Sequence, residues 1–374
     1  MLSRALTRNT STIMSALQQI HLVGSVLFDI TLACFKGAFA CPDGFTCKRF
    51  IIHAAVRSLF RRDRARTLQS NAPSTVQVYQ ACANRNGFSE EAVPLESGAT
   101  GLWLSTPRRL PDNGKILIYF HGGAYVGPAQ MAHFEMLLDQ IKEHQLLSKQ
   151  FGSKLAVLVV AYTLAPKGTY PLQLRQAASA LNYVLQINEV SPSQILIAGD
   201  SAGGNLALSL ISHISHPHPD PTVPPIKARH EGQVVLGGAF LISPWVTFMS
   251  KSSSMAANSE KDLVVQEFLL SCAELFLGND NRDKDDFYTV PLNAPPEWWK
   301  EVKVQNLEIV AGEFEIFRDD ILALAQKIKV HNPMTQVLLA SKEVHAEMVL
   351  ARILKLPPTQ AEKFFKRWLK ERVH

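Results

Sequence analysis

A serine flanked by glycines is the residue of this sequence best suited to covalent catalysis. Ser201 lies in a G-x-S-x-G pentapeptide, residues 199–203, between the apolar run 195–198 and a helical pattern that begins near residue 203. A strand, a sharp turn and a helix in this order form a nucleophile elbow, which lifts the serine hydroxyl clear of a sheet. The flanking positions are glycine because side chains there would clash in the strained turn. The pattern predicts Ser201 as the nucleophile of an acyl transfer.

A second motif supplies hydrogen-bond donors for the same chemistry. The sequence His-Gly-Gly-Ala-Tyr, residues 121–125, directly follows the strand-like run 115–120. Acyl transfer places negative charge on the former carbonyl oxygen, and backbone N–H groups of an H-G-G turn stabilise that charge in an oxyanion hole. We predict that Gly122, Gly123 and Ala202 are the donors. A Gly-Gly turn that only ends the strand is the simpler alternative.

Strand-like and helix-like stretches alternate along most of the chain and would position these two motifs. The patterns predict strands near residues 75–81, 101–105, 115–120, 155–161, 193–198, 233–242, 306–311 and 335–340. They predict helices near residues 131–148, 172–187, 203–213, 318–330 and 358–371. Continuous apolar runs such as 155–160 are typical of buried parallel strands. We therefore predict an α/β fold with a mostly parallel eight-stranded sheet, helices on both faces and a helical cap.

Several motifs together resemble the hormone-sensitive-lipase-like branch of the α/β-hydrolases. They are His-Gly-Gly at 121–123, Gly-Asp-Ser-Ala-Gly-Gly-Asn at 199–205, and Tyr-Thr-Leu-Ala-Pro at 162–166 with Tyr-Pro at 170–171. The similarity spans roughly residues 100–370 and is greatest to fungal esterases, including steryl acetyl hydrolases and hydrolases of secondary metabolism. Ala124 departs from the H-G-G-G pattern, but the glycines before it retain their N–H groups.

The resemblance implies an acid after the seventh strand, in an acid-x-Leu-Arg-Asp pattern. Aligning Arg318-Asp319 with the Arg-Asp of that pattern places Glu315 at the acid position. Asp319 and Glu313 are the alternatives. The helix dipole favours acidic residues in the first turn of a helix, so the presence of an aspartate at position 319 needs no catalytic role. A glutamate can orient and stabilise a catalytic histidine as an aspartate does.

A histidine follows the eighth predicted strand, where this fold carries its base. His345 comes after the run 336–340 and precedes a helical pattern. The chain order of nucleophile, acid and base is that of the α/β-hydrolases. An exposed loop histidine is the alternative interpretation. We predict that His345 is the base of a Ser201–Glu315–His345 triad.

The N-terminal 70 residues differ in charge from the rest. The net charge is +5, and residues 1–70 contain ten Lys or Arg against three Asp or Glu. We divide the chain into an extension, 1–70, and a hydrolase domain, 71–374, with a cap insertion at about 244–304. The first 28 residues have no acid and resemble a mitochondrial transit peptide. The segment 22–35 is too short to span a bilayer, but it can lie on one or pack over the core as part of a cap.

The side chains of Arg57 and of the arginine-rich run 61–66 have the charge needed to bind anionic lipid headgroups. We expect an intracellular protein with peripheral membrane contact through residues 1–70, at the endoplasmic reticulum. Mitochondrial and cytoplasmic locations are the alternatives. A solvated helix end would explain the same charges.

Composition argues against several other functions. There is no basic stripe interleaved with aromatic residues and no zinc-finger spacing, so we expect no nucleic-acid partner. The five cysteines are too few and too irregular for a disulfide scaffold, and we expect free thiols. Three histidines lie within 213–225, but the prolines of that segment prevent a fixed ligand spacing. We expect no metal and no organic cofactor.

These residues predict a serine carboxylic-ester hydrolase that acts on a hydrophobic ester through an acyl-enzyme. The resemblance points to acetylated sterols, terpenoids or polyketides as substrates. Two alternatives stay open. One is a non-catalytic small-molecule receptor on the same fold, against which the presence of all three triad residues argues. The other is an amidase or acyltransferase, which would use the same triad.

Overall fold

The structure of the protein is a computed structural model. It describes residues 28, 31, 32, 45–62, 72–106, 114–147, 154–187, 190–227, 232–278 and 286–373. The transit-like sequence 1–27 lies outside the described residues, as do Asp29, Lys36, Arg64 and Arg66.

An eight-stranded sheet forms the centre of the part of the chain that the structure describes. Its strands are β1 (Glu91–Pro94), β2 (Thr100–Ser105), β3 (Lys115–Phe120), β4 (Leu155–Ala161), β5 (Ile195–Asp200), β6 (Gly238–Ile242), β7 (Leu307–Gly312) and β8 (Gln336–Ala340). The spatial order is β1-β2-β4-β3-β5-β6-β7-β8. The pairs β1–β2 and β2–β4 are antiparallel and the other pairs are parallel. This arrangement confirms the predicted fold.

Helices cover both faces of the sheet because its inner strands are apolar on both sides. They are α1 (Cys47–Arg62), α2 (Thr75–Asn86), α3 (Met131–Leu147), α4 (Leu172–Gln186), α5 (Ala202–Ser215), α6 (Ser253–Ala257), α7 (Gln266–Leu277), α8 (Arg318–Lys329), α9 (Glu347–Ile353) and α10 (Gln360–Val373). Along β3, Ile116 and Ile118 enter one apolar core with α4, α5 and α8. The intervening Leu117 and Tyr119 enter a second core with α2, α3 and α10.

The strand predicted at 75–81 is wrong, because these residues form the first half of α2. Ser74 and Gln77 form a capping box, in which each side chain bonds the other residue's backbone. Such a box fixes a helix N-terminus and outweighs the β propensity of the valines at 76 and 78. The eighth strand is instead β1, which the sequence pattern did not reveal. It extends the edge of the sheet beyond β2.

Helix α1 packs on the insertion that follows β6. Phe60 of α1 contacts Phe268 of α7 with ring centroids 4.8 Å apart. Arg57 is buried and donates to the carbonyl of Asp262 at 2.9 Å, and Arg61 pairs with Glu260 at 2.7 Å. The expectation that Arg57 faces membrane headgroups is therefore wrong, since its guanidinium is enclosed by protein. Within the described part of the chain, no helix combines the length and the apolar character needed to cross a bilayer.

Candidate active site

The candidate nucleophile lies at the tight turn between β5 and α5. Ser201 has φ 53° and ψ −118°, a conformation that side-chain-bearing residues rarely adopt. A Cβ at Gly199 would lie 2.4 Å from the carbonyl oxygen of Gly203, and one at Gly203 would lie 2.0 Å from that of Phe120. The pentapeptide needs glycine at both positions because its own backbone and that of β3 occupy the space. This is the strained elbow that the motif predicts.

Ser201 and His345 meet at the carboxyl edge of the sheet. His345 Nε2 lies 2.8 Å from Ser201 Oγ, at hydrogen-bond distance. Ser201 is 7% exposed and His345 is 4% exposed, so both side chains are largely enclosed. Ser201 follows β5 and His345 follows β8, 144 residues later in the chain. They lie close together because the carboxyl ends of parallel strands lie at the same edge of the sheet.

Glu315 is the carboxylate that the fold places behind the imidazole. It follows β7 and is fully buried, with Oε2 3.7 Å from His345 Nδ1. The hydroxyl of Ser243, at the end of β6, donates to the same Oε2. The distance to Nδ1 exceeds that of a hydrogen bond, although such contacts often shorten only when substrate binds. Glu315 is therefore placed to orient the imidazole.

The two alternative acids have other partners. Asp319 accepts from the Ser254 backbone N–H at 2.8 Å and pairs with Arg318 at 2.8 Å. Glu313 accepts from the backbone N–H of Lys342 at 2.8 Å. Asp319 lies in the first turn of α8, where the helix dipole favours a carboxylate. Of the three candidate acids, Glu315 is the one in contact with His345.

The charges around His345 favour its protonated form. Burial by itself lowers the pKa of this imidazole, but the nearby carboxylates of Glu315, Asp262 and Asp200 outweigh burial and raise the pKa above 6.5. A raised pKa makes the neutral imidazole a stronger base toward the Ser201 hydroxyl proton. It also stabilises the imidazolium that would form during acyl transfer.

The loop after β3 supplies candidate oxyanion donors, with one correction. The Gly122 N–H donates to Asp200 Oδ1 at 2.9 Å, so it is not free for an oxyanion. Within the described residues, the N–H groups of Gly123, Ala124 and Ala202 donate to no protein acceptor. Gly123 has φ +116°, and a Cβ there would lie 2.5 Å from the Gly127 carbonyl oxygen. The turn therefore requires glycine at 123.

Sequence reasoning missed the buried polar network that holds this loop. Asp200 accepts from Tyr119 at 2.8 Å and lies 3.3 Å from His133 Nε2, in addition to the bond from Gly122. Burial alone would raise the pKa of Asp200, but His133 and these hydrogen bonds outweigh it and lower the pKa. Asp200 is thus a buried carboxylate joining the oxyanion loop to the elbow. Its position beside Ser201 in the motif was the available signal.

Two tyrosines fix the rest of the loop. The Tyr162 hydroxyl donates to the His121 carbonyl at 2.7 Å, and its ring stacks on the imidazole with centroids 4.4 Å apart. The Tyr125 hydroxyl donates to Asn205 Oδ1 at 2.7 Å, which ties the loop to α5. The loop is therefore rigidly placed, and a preorganised donor needs no reorganisation during reaction.

Aromatic side chains run from the base toward the oxyanion loop. Phe317 contacts the His345 ring at a centroid distance of 5.1 Å, and Trp245 stacks beside Phe317. Phe276 stacks on Tyr125 with centroids 3.8 Å apart. A cavity of about 130 Å³ lies in the cap nearby, between α1 and α7. Its lining includes Ile316 but neither Ser201 nor His345, so the cavity belongs to the cap rather than to the nucleophile.

The histidines in the last turn of α5 and directly after it have structural partners. His213 Nε2 lies 2.9 Å from the Pro224 carbonyl, and His218 Nε2 lies 2.7 Å from the Tyr170 hydroxyl. Across the ranges that the structure describes, no three His, Cys, Asp or Glu side chains are grouped as metal ligands.

Comparison with known proteins identifies the fold family. The family model described as alpha/beta hydrolase fold matches residues 117–349, which include Ser201, Glu315 and His345. The chain belongs to the α/β-hydrolase fold family. Mug81 of Schizosaccharomyces pombe, provisionally named a steryl acetyl hydrolase, is 26% identical over 257 residues, or 67% of this chain and 63% of that protein. An acetyl-hydrolase of Streptomyces hygroscopicus is 27% identical over 241 residues, which cover 63% of this chain and 68% of the relative.

Solved structures support the same fold. An esterase from the bacterial hormone-sensitive lipase family superposes with a TM-score of 0.62 at 21% identity, and the match covers 86% of this chain and 98% of that one. At this identity the likeness shows the fold of this α/β-hydrolase and leaves its substrate open.

Proposed function

We propose that this α/β-hydrolase is a serine carboxylic-ester hydrolase with Ser201 as nucleophile, His345 as base and Glu315 as acid. The observation that carries the proposal is the 2.8 Å contact between Ser201 Oγ and His345 Nε2. Glu315 lies on the far side of the same imidazole. A nucleophile, a base and an orienting carboxylate in this arrangement are the parts of acyl transfer through a covalent intermediate.

In the proposed reaction, His345 Nε2 takes the hydroxyl proton as Ser201 Oγ attacks the ester carbonyl carbon. The resulting imidazolium then protonates the leaving alkoxide, and an acyl-enzyme on Ser201 results. Water, deprotonated by His345, attacks the acyl-enzyme, and the proton returns to Ser201 as the carboxylic acid leaves. Glu315 stabilises the imidazolium in both halves of the cycle.

We assign the oxyanion hole to the N–H groups of Gly123, Ala124 and Ala202. Each lacks a protein acceptor among the described residues, and Ala202 begins α5, where free N–H groups point outward. This assignment replaces Gly122 with Ala124, since Asp200 occupies the Gly122 N–H. Losing one such donor typically costs roughly 3–4 kcal/mol of transition-state stabilisation.

A hydrophobic ester is the substrate class that suits this site. The Phe317 ring contacts the His345 ring with centroids 5.1 Å apart, and Trp245 stacks on Phe317 with centroids 6.4 Å apart. The relatives' names point to acetyl esters, including those of sterols. We therefore propose acetylated sterols, terpenoids or polyketides, with α1 and residues 244–304 forming the cap.

The proposal is tested by hydrolysis of a chain-length series of p-nitrophenyl esters by the full chain. Ser201→Ala and His345→Ala should each lower kcat by roughly 10⁶-fold. Ser271→Ala, on the exposed face of α7, is the matched control and should keep wild-type rates. A preference for acetate over longer acyl chains would support an acetyl ester.

Other outcomes would favour the alternatives. A wild-type protein that binds hydrophobic ligands but neither hydrolyses esters nor reacts with a fluorophosphonate probe is the expected result for a receptor. Faster turnover of a matched amide, or of acyl transfer to an added alcohol, would favour an amidase or an acyltransferase.

We further propose peripheral membrane contact through the N-terminal region. Leu59 of α1 is 46% exposed, and Phe28 is 68% exposed. The exposed Lys48 adds positive charge to α1. Fractionation of cells checks this proposal: we expect release from membranes by carbonate and retention at low salt. A protein found in the supernatant throughout would contradict it.

A further inference from the structure

Asp262 is a fully buried carboxylate in the insertion between α6 and α7. Its Oδ1 accepts from the backbone N–H of His345 at 3.0 Å and from that of Leu263 at 2.7 Å. Its Oδ2 accepts from the Ile316 N–H at 2.7 Å. Both oxygens are thus bound by backbone donors, two of which belong to separate loops of the active site. A buried charge persists when it is bonded in this way.

The two loops joined by Asp262 carry the acid and the base. Ile316 directly follows Glu315 after β7, and His345 follows β8. The Asp262 side chain therefore connects the backbone of the loop that carries Glu315 to the backbone of His345 itself. Glu315 Oε2 and His345 Nδ1 lie 3.7 Å apart, and this separation depends on where the two backbone segments lie relative to each other. Small displacements of reacting groups have large effects on rate, so a contact that fixes this separation matters to catalysis.

The segment that presents Asp262 is itself held on two sides. The Asn258 side-chain amide donates to the carbonyls of Glu315 at 2.9 Å and Glu313 at 3.1 Å. The Asp262 N–H donates to the Asn258 carbonyl at 2.9 Å, which closes a turn between these residues. Arg57 of α1 donates to the Asp262 carbonyl at 2.9 Å from the opposite side. The carboxylate is thus rigidly supported and can transmit this rigidity to the loops.

We propose that Asp262 is a positioning residue, which holds the Glu315 and His345 loops at the relative position that catalysis requires. The inference rests on the proposed hydrolysis by Ser201. Asp262 touches neither Ser201 nor the reacting side chains of the triad through its bonds, and it acts through the backbone of the two loops. The insertion and α1 then support the loops that carry Glu315 and His345, in addition to forming the proposed cap.

Charge gives this role a distinctive signature. The titratable and charged groups around Asp262 are His53 and Arg57 on α1, Glu315 and His345 on the two loops, and Glu260 and Lys261 in its own segment. Burial raises the pKa of Asp262 to about 6, which His345 opposes and Glu315 reinforces. The ionised carboxylate in turn raises the pKa of His345. Removing its charge should lower the pKa of the base.

The test compares full-length Asp262→Asn with wild type and with Asp320→Asn, a matched change at another buried carboxylate. The side-chain amide in Asp262→Asn would turn an NH₂ group toward the N–H of Ile316 or His345. We expect kcat on a p-nitrophenyl ester to fall about 100-fold with little change in KM. The acidic limb of kcat/KM should also move to lower pH, because the variant lacks the negative charge that raises the pKa of His345. Looser packing alone would not move the limb. Asp320→Asn should stay within about threefold of wild type.

The outcomes separate this inference from the function beneath it. An active wild type with Asp262→Asn equally active, and with an unmoved acidic limb, overturns the positioning role alone. An inert wild type that also fails to react with a fluorophosphonate overturns both the role and the proposed function.

A second variant covers a failure of Asp262→Asn to fold, which thermal melting would reveal. Asp262→Glu keeps the charge but moves the carboxylate by one methylene. We expect it to lower kcat while the acidic limb stays at the wild-type pH. Wild-type kcat in Asp262→Glu would overturn the positioning role.

Discussion

The backbone N–H of Gly122 donates to the carboxylate of Asp200 at 2.9 Å, across 78 residues of sequence. This bond joins the loop after β3 to the residue that precedes Ser201. A Cβ at Gly122 would lie 2.2 Å from Asp200 Oδ2, so the contact also explains why this position is glycine. The first glycine of the His-Gly-Gly motif therefore anchors the loop after β3, and its N–H group is not available to an oxyanion.

We expect Asp200→Asn to lower kcat by about 10–100-fold with a smaller effect on KM. Gly122 and Tyr119 donate to Oδ1 and His133 faces Oδ2, so an amide keeps at most one of these two acceptors and loses the negative charge. The loop after β3 would then be held less firmly relative to Ser201. Steady-state hydrolysis of p-nitrophenyl acetate measures this effect. Asp286→Asn is the control, because Asp286 accepts N–H bonds in a turn that an asparagine can also make. Equal activity of the two variants would contradict the anchoring role.

We expect Glu315→Gln to lower kcat about 10³–10⁴-fold, since a neutral amide cannot stabilise the imidazolium of His345. Asp319→Asn should keep kcat within about threefold of wild type and lower stability by less than about 1 kcal/mol, because it only weakens contacts at the start of α8. Kinetics of both variants, with thermal melts, decide between the two acids. A larger loss in Asp319→Asn would transfer the acid role to that residue.

The pH dependence of kcat/KM should show an acidic limb with its midpoint above pH 6.5. The base must be neutral in the free enzyme, and the surrounding carboxylates raise the pKa of His345 above 6.5. Because the folded pKa exceeds the unfolded one, the imidazolium stabilises the fold fully below pH 6.5, and this contribution is lost as pH rises through the folded pKa. Initial rates from about pH 5 to 9 check the limb. In Glu315→Gln the acidic limb of kcat/KM should move to lower pH, because the carboxylate that raises the pKa of His345 is gone. An acidic limb below pH 6.5 in the wild-type enzyme would contradict this account.

Gly203→Ala should destabilise the protein by about 3 kcal/mol and abolish hydrolysis. Its Cβ would lie 2.0 Å from the Phe120 carbonyl, so α5 and the elbow would have to move away from β3. Gly238→Ala is the matched control, since its nearest contact would be 3.3 Å. We expect that control to lose less than about 1 kcal/mol. Urea unfolding measures both, and similar midpoints would show that the elbow tolerates a side chain.

The elements nearest the nucleophile could be predicted because their signals are local. The turn at Ser201 is specified by the residues on either side of it, and β3, β4 and β5 are continuous apolar runs between turn residues. The chain order of the motif residues also predicted Glu315 and His345 as neighbours, and their side chains lie 3.7 Å apart. The error at 75–81 was avoidable, because Ser74 and Gln77 show a capping box in the sequence itself.

The sequence by itself determined the α/β fold and the identity of Ser201 and His345 as partners, since adjacent residues and strand order suffice for both. Tertiary structure alone decided which N–H groups remain free and which buried carboxylates support the loops. Asp262 lies 54 residues from Ile316 and 83 from His345. Asp200 lies 78 residues from Gly122. A hydrogen bond forms wherever folding brings a donor to an acceptor at about 3 Å, and no short-range pattern encodes that meeting.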